Sequence, residues 1–150
     1  MNILITGGAG FVGSQVGHYL EGRGHTVYLF DNMSYGHVDN LSVNGQSIGE
    51  FIKGDVREYC DHLLREKEIE AVLHFAGVAP LPDCQSDPYN AIDNNVAGTA
   101  CVLESCRLGG VKKIVFASTS AMYEKCKKTP FFEDQVEKSP DLIYPLTKLQ

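Results

Sequence analysis

The segment Gly7-Gly-Ala-Gly-Phe-Val-Gly13 constrains this chain more than any other. It follows an apolar run, Ile3 to Ile5, and Thr6. An apolar run that opens into glycines at 7, 8, 10 and 13 describes a buried strand turning into a helix through a loop that only glycine permits. In this spacing Gly7 allows a tight turn, and Gly10 leaves room for a pyrophosphate to approach the backbone. Gly13 lets the new helix lie close on the strand. Phosphates placed there meet N–H groups that have no partner inside the helix, at the positive end of its dipole. The loop therefore predicts a dinucleotide site with a sheet built around it.

A second apolar run, Thr26 to Phe30, ends at Asp31-Asn32. Asp31 lies about twenty residues beyond the glycines, where a carboxylate holds the adenosine ribose hydroxyls. A carboxylate there repels a 2′-phosphate, and no Arg or Lys lies between Asp31 and Lys53 to reverse that repulsion. The pattern favours NAD over NADP. Further on, Asp55-Val56 is placed to meet the adenine, the Asp accepting from the exocyclic amine and the Val packing on the ring. Asp55 is equally suited to cap a helix starting at Arg57, and the two roles are compatible.

Strand and helix patterns alternate along the chain. Strands are expected near 2–6, 26–30, 51–52, 71–75 and 112–118. Helices are expected over 11–22, 57–67 and 88–108, the last capped by Ser86 or Asp87 and stopped by Gly109-Gly110. Residues 31–49, rich in Asn, Ser and Gly, read as a loop. Strands joined by helices predict an α/β fold: a Rossmann-type, doubly wound parallel sheet with helices on both faces. Its ligands bind at the carboxyl ends of the strands. Those ends carry Gly7, Asp31, Asp55, Phe75-Ala76-Gly77 and Ser118-Thr119-Ser120.

With 150 residues the chain has the size of one domain, read here as a cofactor-binding domain over 1–150. Its net charge of −6 argues against nucleic acid and anionic membranes as partners. Ile3 to Ile5 is too short for a signal peptide or a spanning helix. Five scattered cysteines, with no CxxC pair, read as reduced thiols of a cytoplasmic protein. The scattered histidines give no metal site.

Tyr144-Pro-Leu-Thr-Lys148 sets a phenol and an ammonium four residues apart. With Pro145 in a first helical turn, both share one helix face. A phenol titrates near pH 10, too high for a general base at neutral pH. A neighbouring ammonium and an oxidised nicotinamide would favour the phenolate. Ser120, past the fifth strand, is expected to hydrogen-bond the same substrate oxygen as Tyr144, and Lys148 the nicotinamide ribose. The helix begun at Tyr144 has seven residues to Gln150, too few to be stable alone.

These segments, with His74-Phe-Ala-Gly77, Asn94-Asn-Val-Ala-Gly-Thr99 and Phe116-Ala-Ser-Thr-Ser-Ala-Met-Tyr123, resemble the N-terminal part of the extended short-chain dehydrogenase/reductase family, in its NAD-dependent epimerase/dehydratase group. The likeness runs from Met1 to Lys148 and is strongest to nucleotide-sugar epimerases acting on UDP-sugars. It implies backbone contacts from Phe11 and Val12 to the pyrophosphate, and a path along the cofactor for Phe75 to Ala79. It also implies that Asn95 holds the loop beneath the cofactor, that Ser118 contributes to cofactor binding, and that Ser120, Tyr144 and Lys148 are catalytic. The implied chemistry is hydride removal from a sugar carbinol to NAD. Dehydratases of the group carry Asp-Glu where this chain has Ser120-Ala121, which argues against dehydration. Glu124 stands where the family has Gly. Family members are about twice this length, so a C-terminal substrate lobe is expected to be missing. A silent NAD-binding module, a fragment completed by another chain, and a nucleotide-sugar reductase or dehydratase stand as alternatives. The resemblance leaves a homodimer open for a full-length form.

Overall fold

The computed structural model describes residues 1–127, 129–136 and 140–149. In chain order it contains β1 (Asn2–Thr6), α1 (Phe11–Glu21), β2 (Thr26–Asp31), β3 (Ser42–Val43), β4 (Gln46–Ser47) and β5 (Glu50–Lys53). There follow α2 (Asp61–Glu66), β6 (Ala71–His74), α3 (Leu81–Ser86), α4 (Pro88–Ile92), α5 (Gly98–Gly109), β7 (Lys113–Phe116) and α6 (Ile143–Thr147). The main sheet has the order β5-β2-β1-β6-β7, with every neighbouring pair parallel. From β1 the chain steps outward through β2 to β5. It then crosses to β6 on the other side of β1 and steps outward again to β7. The direction of winding reverses between β1 and β6, so a crevice opens beyond their carboxyl ends.

Each face of the sheet has its own core, because successive strand side chains point to opposite sides. Leu4, Tyr28, Phe30 and Val72 pack with Leu64 of α2 and with Val102 and Cys106 of α5. Ile3, Ile5, Val27 and Leu29 pack on the other face, against Val16 and Leu20 of α1. Two covered faces explain the unbroken apolar runs of β1 and β2. At the outer edge, Ile114 and Val115 of β7 remain exposed.

The α/β sheet expected from the alternating pattern is present, with local differences. The helix expected over 57–67 starts only at Asp61, because residues 55–58 form a turn closed by Glu58 N–H on the Asp55 carbonyl (3.1 Å). Asp55 therefore does not cap α2, whose N-cap is Cys60. Within the expected loop 31–49, β3 and β4 form a hairpin whose Asn44-Gly45 turn has both residues at positive φ. The helix expected over 88–108 is capped by Asp87, which accepts from Asn90 N–H (3.0 Å). It runs as α4, a π turn at Asp93–Ala97, and α5, and ends at Gly110 with φ +76°. The short helix α3 was not expected at all. The far end of the helix begun at Tyr144, Gln150, lies outside the described residues.

Ile5 is fully buried. Ile5→Ala should lower the unfolding free energy in urea by about 2–5 kcal/mol, and Ile5→Val by about 0.5–1.5 kcal/mol.

Candidate active site

The glycine loop is fastened both across its own turn and to the elements around it. Gly8 N–H donates to the Phe30 carbonyl (3.2 Å) and Gly10 N–H to the Gly7 carbonyl (3.0 Å). Ala9 donates to the Asp31 carboxylate (3.0 Å), and its carbonyl accepts from His37 N–H (3.0 Å) and the Asn40 side chain (2.8 Å). Gly7 adopts φ +68°, and a Cβ there would stand 2.7 Å from the Ala76 nitrogen. A Cβ on Gly13 would collide with the Gly7 carbonyl, so this glycine brings α1 against the loop itself. A Cβ on Gly10 would meet only that carbonyl, at 3.1 Å, and would otherwise face the cleft. Helix α1 begins at Gly10 with no side-chain cap, and Phe11 and Val12 are exposed. The first-turn amides of α1 thus have no intrahelical acceptor, although Phe11, Val12 and Gly13 do not line the cleft.

Gly7, Gly10, Asp31, Asn32, Val56, Phe75, Ala76 and Gly77 all line this cleft, as the sequence suggested. Asp31 is nearly buried, and its second oxygen accepts from Met33 N–H (2.8 Å). One carboxylate thus fixes both the glycine loop and the turn after β2. Asp55 does not line the cleft. Its oxygens accept from Arg57 N–H (2.9 Å), from Arg57 Nε (2.9 Å) and Nη2 (2.7 Å), and from Asn32 Nδ2 (3.0 Å). The hydrogen-bonded Arg57 side chain holds this carboxyl well below the usual range. Arg57 itself lines the cleft and also pairs with Asp93 (2.9 Å).

Asn95 lies beneath the cleft and is fully buried. Its amide brackets the Val78 backbone, accepting from N–H (2.8 Å) and donating to the carbonyl (2.9 Å), and also donates to the Thr147 hydroxyl (3.0 Å). The loop after β6 and helix α6 are therefore tied to one side chain. Gln85 of α3 accepts the Ile143 N–H (2.8 Å), which secures the start of α6. Helix α6 owes its place to these contacts, since five residues do not hold a helix by themselves.

Tyr144 and Lys148 share a face of α6, but the ammonium stands 6.0 Å from the phenol ring centroid and 4.7 Å over the Phe116 ring. No carboxylate among the described residues pairs with it, and burial lowers its pKa. A Cβ on Gly77 would lie 3.4 Å from Lys148 Nζ, so the ammonium reaches the floor of the cleft. The expected depression of the Tyr144 phenol by Lys148 is not found. Burial pushes the phenol above its ordinary value, and the hydrogen bond with the Thr119 side chain draws it back. The side chain that acts on the Tyr144 phenol is that of Thr119, whereas Ser120 is exposed at the start of a 3-10 turn. Thr119 also accepts from Ala121 N–H (3.1 Å). Ser118 does not line the cleft, and its hydroxyl points to the Met122 sulfur (3.4 Å).

The sequence reading gave no site role to Arg57 or Tyr35, and placed Thr119 at a strand end without a role of its own. Tyr35 lines the cleft and donates from its hydroxyl to Asp83 of α3 (2.9 Å). Among the described residues no three His, Cys, Asp or Glu side chains gather to hold a metal ion, and no helix is long and apolar enough to cross a membrane.

Residues 3–150 match the NAD dependent epimerase/dehydratase family. The UDP-glucose 4-epimerase of Lacticaseibacillus casei is 34% identical over 135 residues, covering 89% of this chain and 40% of the relative. One from Klebsiella pneumoniae is 36% identical over 138 residues, covering 89% of this chain and 99% of the relative. Apart from such cases, the chain spans about 40% of the length of the curated relatives it matches. Among solved structures, the UDP-glucose 4-epimerase of Stenotrophomonas maltophila with bound NAD and formylated UDP-arabinopyranose superposes with a TM-score of 0.92. It is 30% identical, over 99% of this chain and 46% of that one. The Brucella ovis enzyme in complex with NAD gives 0.90 at 33% identity, over 99% and 44%.

Thr119→Val should raise the Tyr144 pKa further, whereas Ser120→Ala should leave it unchanged. Tyrosine ring carbon NMR across the alkaline range reads both. A shift in the Ser120 variant alone would return the role to Ser120.

Proposed function

The chain belongs to the NAD dependent epimerase/dehydratase family, and on that premise we propose that residues 1–150 are the NAD-binding domain of a nucleotide-sugar epimerase of the UDP-glucose 4-epimerase type. One observation carries the reading. Lys148 comes up against Gly77, which lines the cleft that the glycine loop opens, and Tyr144 stands on the helix that Lys148 ends. A cofactor groove and an acid/base pair thus adjoin.

The residues present fit a dinucleotide. Gly10 has its open side to the cleft, and the first-turn amides of α1 lack internal acceptors, as a diphosphate requires. Asp31 sets a carboxylate at the end of β2, which suits ribose hydroxyls and opposes a 2′-phosphate. Val56 takes the adenine end, while Asp55, engaged by Arg57 and Asn32, holds those two side chains beside it. Phe75, Ala76 and Gly77 run beneath the cofactor on the support of Asn95. Bound NAD supplies a hydride acceptor and, once reduced, a hydride donor, the exchange an epimerisation through a keto-sugar needs. Tyr144 takes the proton of the sugar hydroxyl and returns it. Thr119 hydrogen-bonds the same oxygen, the role the sequence suggested for Ser120. Lys148 holds the ribose near Gly77 and keeps positive charge in the pocket. A UDP-sugar is the substrate, as in the relatives. Five free thiols go with a reducing, cytoplasmic setting.

Calorimetry should give one NAD site, with NADP weaker by roughly tenfold or more because of Asp31. Failure to bind NAD would refute the reading. In an enzyme that contains residues 1–150, Tyr144→Phe should reduce kcat for UDP-glucose interconversion by about 10²–10⁴ and leave NAD affinity unchanged. An unaltered kcat would remove Tyr144 from the mechanism.

A further inference from the structure

His74 is a buried side chain at the end of β6 that the proposed chemistry does not use. It has one hydroxyl on each side of its ring. Nδ1 lies 2.6 Å from Thr6 Oγ1, and Nε2 lies 3.0 Å from Thr99 Oγ1. Thr99 gives its only proton to the Asn95 carbonyl (2.6 Å), back along its own helix. Its oxygen can then only accept, so His74 Nε2 must carry a proton. Thr6 Oγ1 already accepts from Ala76 N–H (3.2 Å), and its own proton has Nδ1 as its acceptor. Every donor and acceptor is used once in this order. A second ring proton would force two donors onto Thr6 and leave its hydroxyl proton without an acceptor.

We propose that His74 is a positioning residue: a neutral Nε2–H imidazole that links the end of β1, the Ala76 amide on the cleft floor and the Asn95 carbonyl into one directed hydrogen-bond chain. Asn95 brackets Val78, so the loop 75–78 is gripped at two points, one through Thr6 and one through Asn95. His74 and Asn95 set the spacing between them. The surroundings keep the ring neutral. Burial and the charge of Lys148 lower its pKa to about 4, and Phe116 covers it at 5.8 Å between ring centroids. That this floor carries NAD rests on the function proposed above. The hydrogen-bond order does not.

Two measurements test it on the whole chain. Nitrogen–proton NMR of the imidazoles should show His74 as the neutral Nε2–H form from pH 8 down to about 5. An Nδ1–H form, or an imidazolium at pH 6, would overturn the proposal. Amide hydrogen exchange supplies the second. Thr99→Val removes an acceptor three hydrogen bonds away from Ala76 and should speed Ala76 exchange roughly tenfold, with Thr99→Ser restoring it. Phe75 N–H, bound to the Thr6 carbonyl at 3.1 Å, should not respond. Equal acceleration of both amides, or of neither, would reduce Thr99 and His74 to ordinary packing. If wild-type chain fails to bind NAD while both results hold, only the proposed function falls. Where NAD binds, Thr99→Val should also weaken it, although Thr99 does not line the cleft.

Discussion

The molecule depends on how closely two backbone segments pass where β1 and β6 end. The strands are paired up to Thr6 and His74, and one further bond joins Phe75 N–H to the Thr6 carbonyl. Beyond that point one chain must turn toward α1 and the other toward α3. Gly7 sits in the gap with no room for a side chain between it and Ala76. Its left-handed conformation directs the loop away at the smallest separation, and that divergence makes the cleft. The same constraint passes to Gly13, which lies against the Gly7 carbonyl and sets the start of α1. A side chain at either position would part the two cleft walls before it touched any ligand.

Buried polar groups then hold the walls. Asp31 accepts from two amides of different loops, and Asn95 brackets Val78 and reaches Thr147. Such groups are costly without partners and specific with them, so each fixes a geometry that apolar packing would leave loose. Among the described residues no fully buried side-chain nitrogen or oxygen lacks a partner. The carboxylate of Asp55 has been drawn into the same service by Arg57 and Asn32.

Much of this was legible in the residues, for identifiable reasons. The apolar runs of β1, β2 and β6 are short and continuous, as strands covered on both faces must be, and the glycine spacing has few other uses. The signals that failed were local patterns with two readings. The segment holding Pro80 and Pro82 carried no helix signal, yet Pro82 stands in the first turn of α3, where a missing N–H costs nothing. The Asn44-Gly45 hairpin had a clear signature that the surrounding polar residues obscured. Asp55 and Arg57 suggested a helix start, but Glu58 N–H on the Asp55 carbonyl closes a turn there, beside the Asp55–Arg57 ion pair. Three adjacent hydroxyls, Ser118, Thr119 and Ser120, differ only in direction. Direction is set by where the chain leaves β7 and enters its 3-10 turn, which no pattern of residue types encodes.

The π turn between α4 and α5 has a consequence for how this sequence can vary in length. It holds one residue more than an α-helical turn would, and that extra residue aims Asn95 inward while Val102 and Cys106 still meet the sheet. Removing one residue from Asp93–Ala97 would regularise the spiral. A deletion within the regular α-helical stretch Gly98–Gly109 would instead rotate everything before it by about 100° relative to everything after it. Either the Asn95 amide or the apolar stripe of α5 would then face the wrong way, so the segment tolerates exchange of side chains far better than a change in their number.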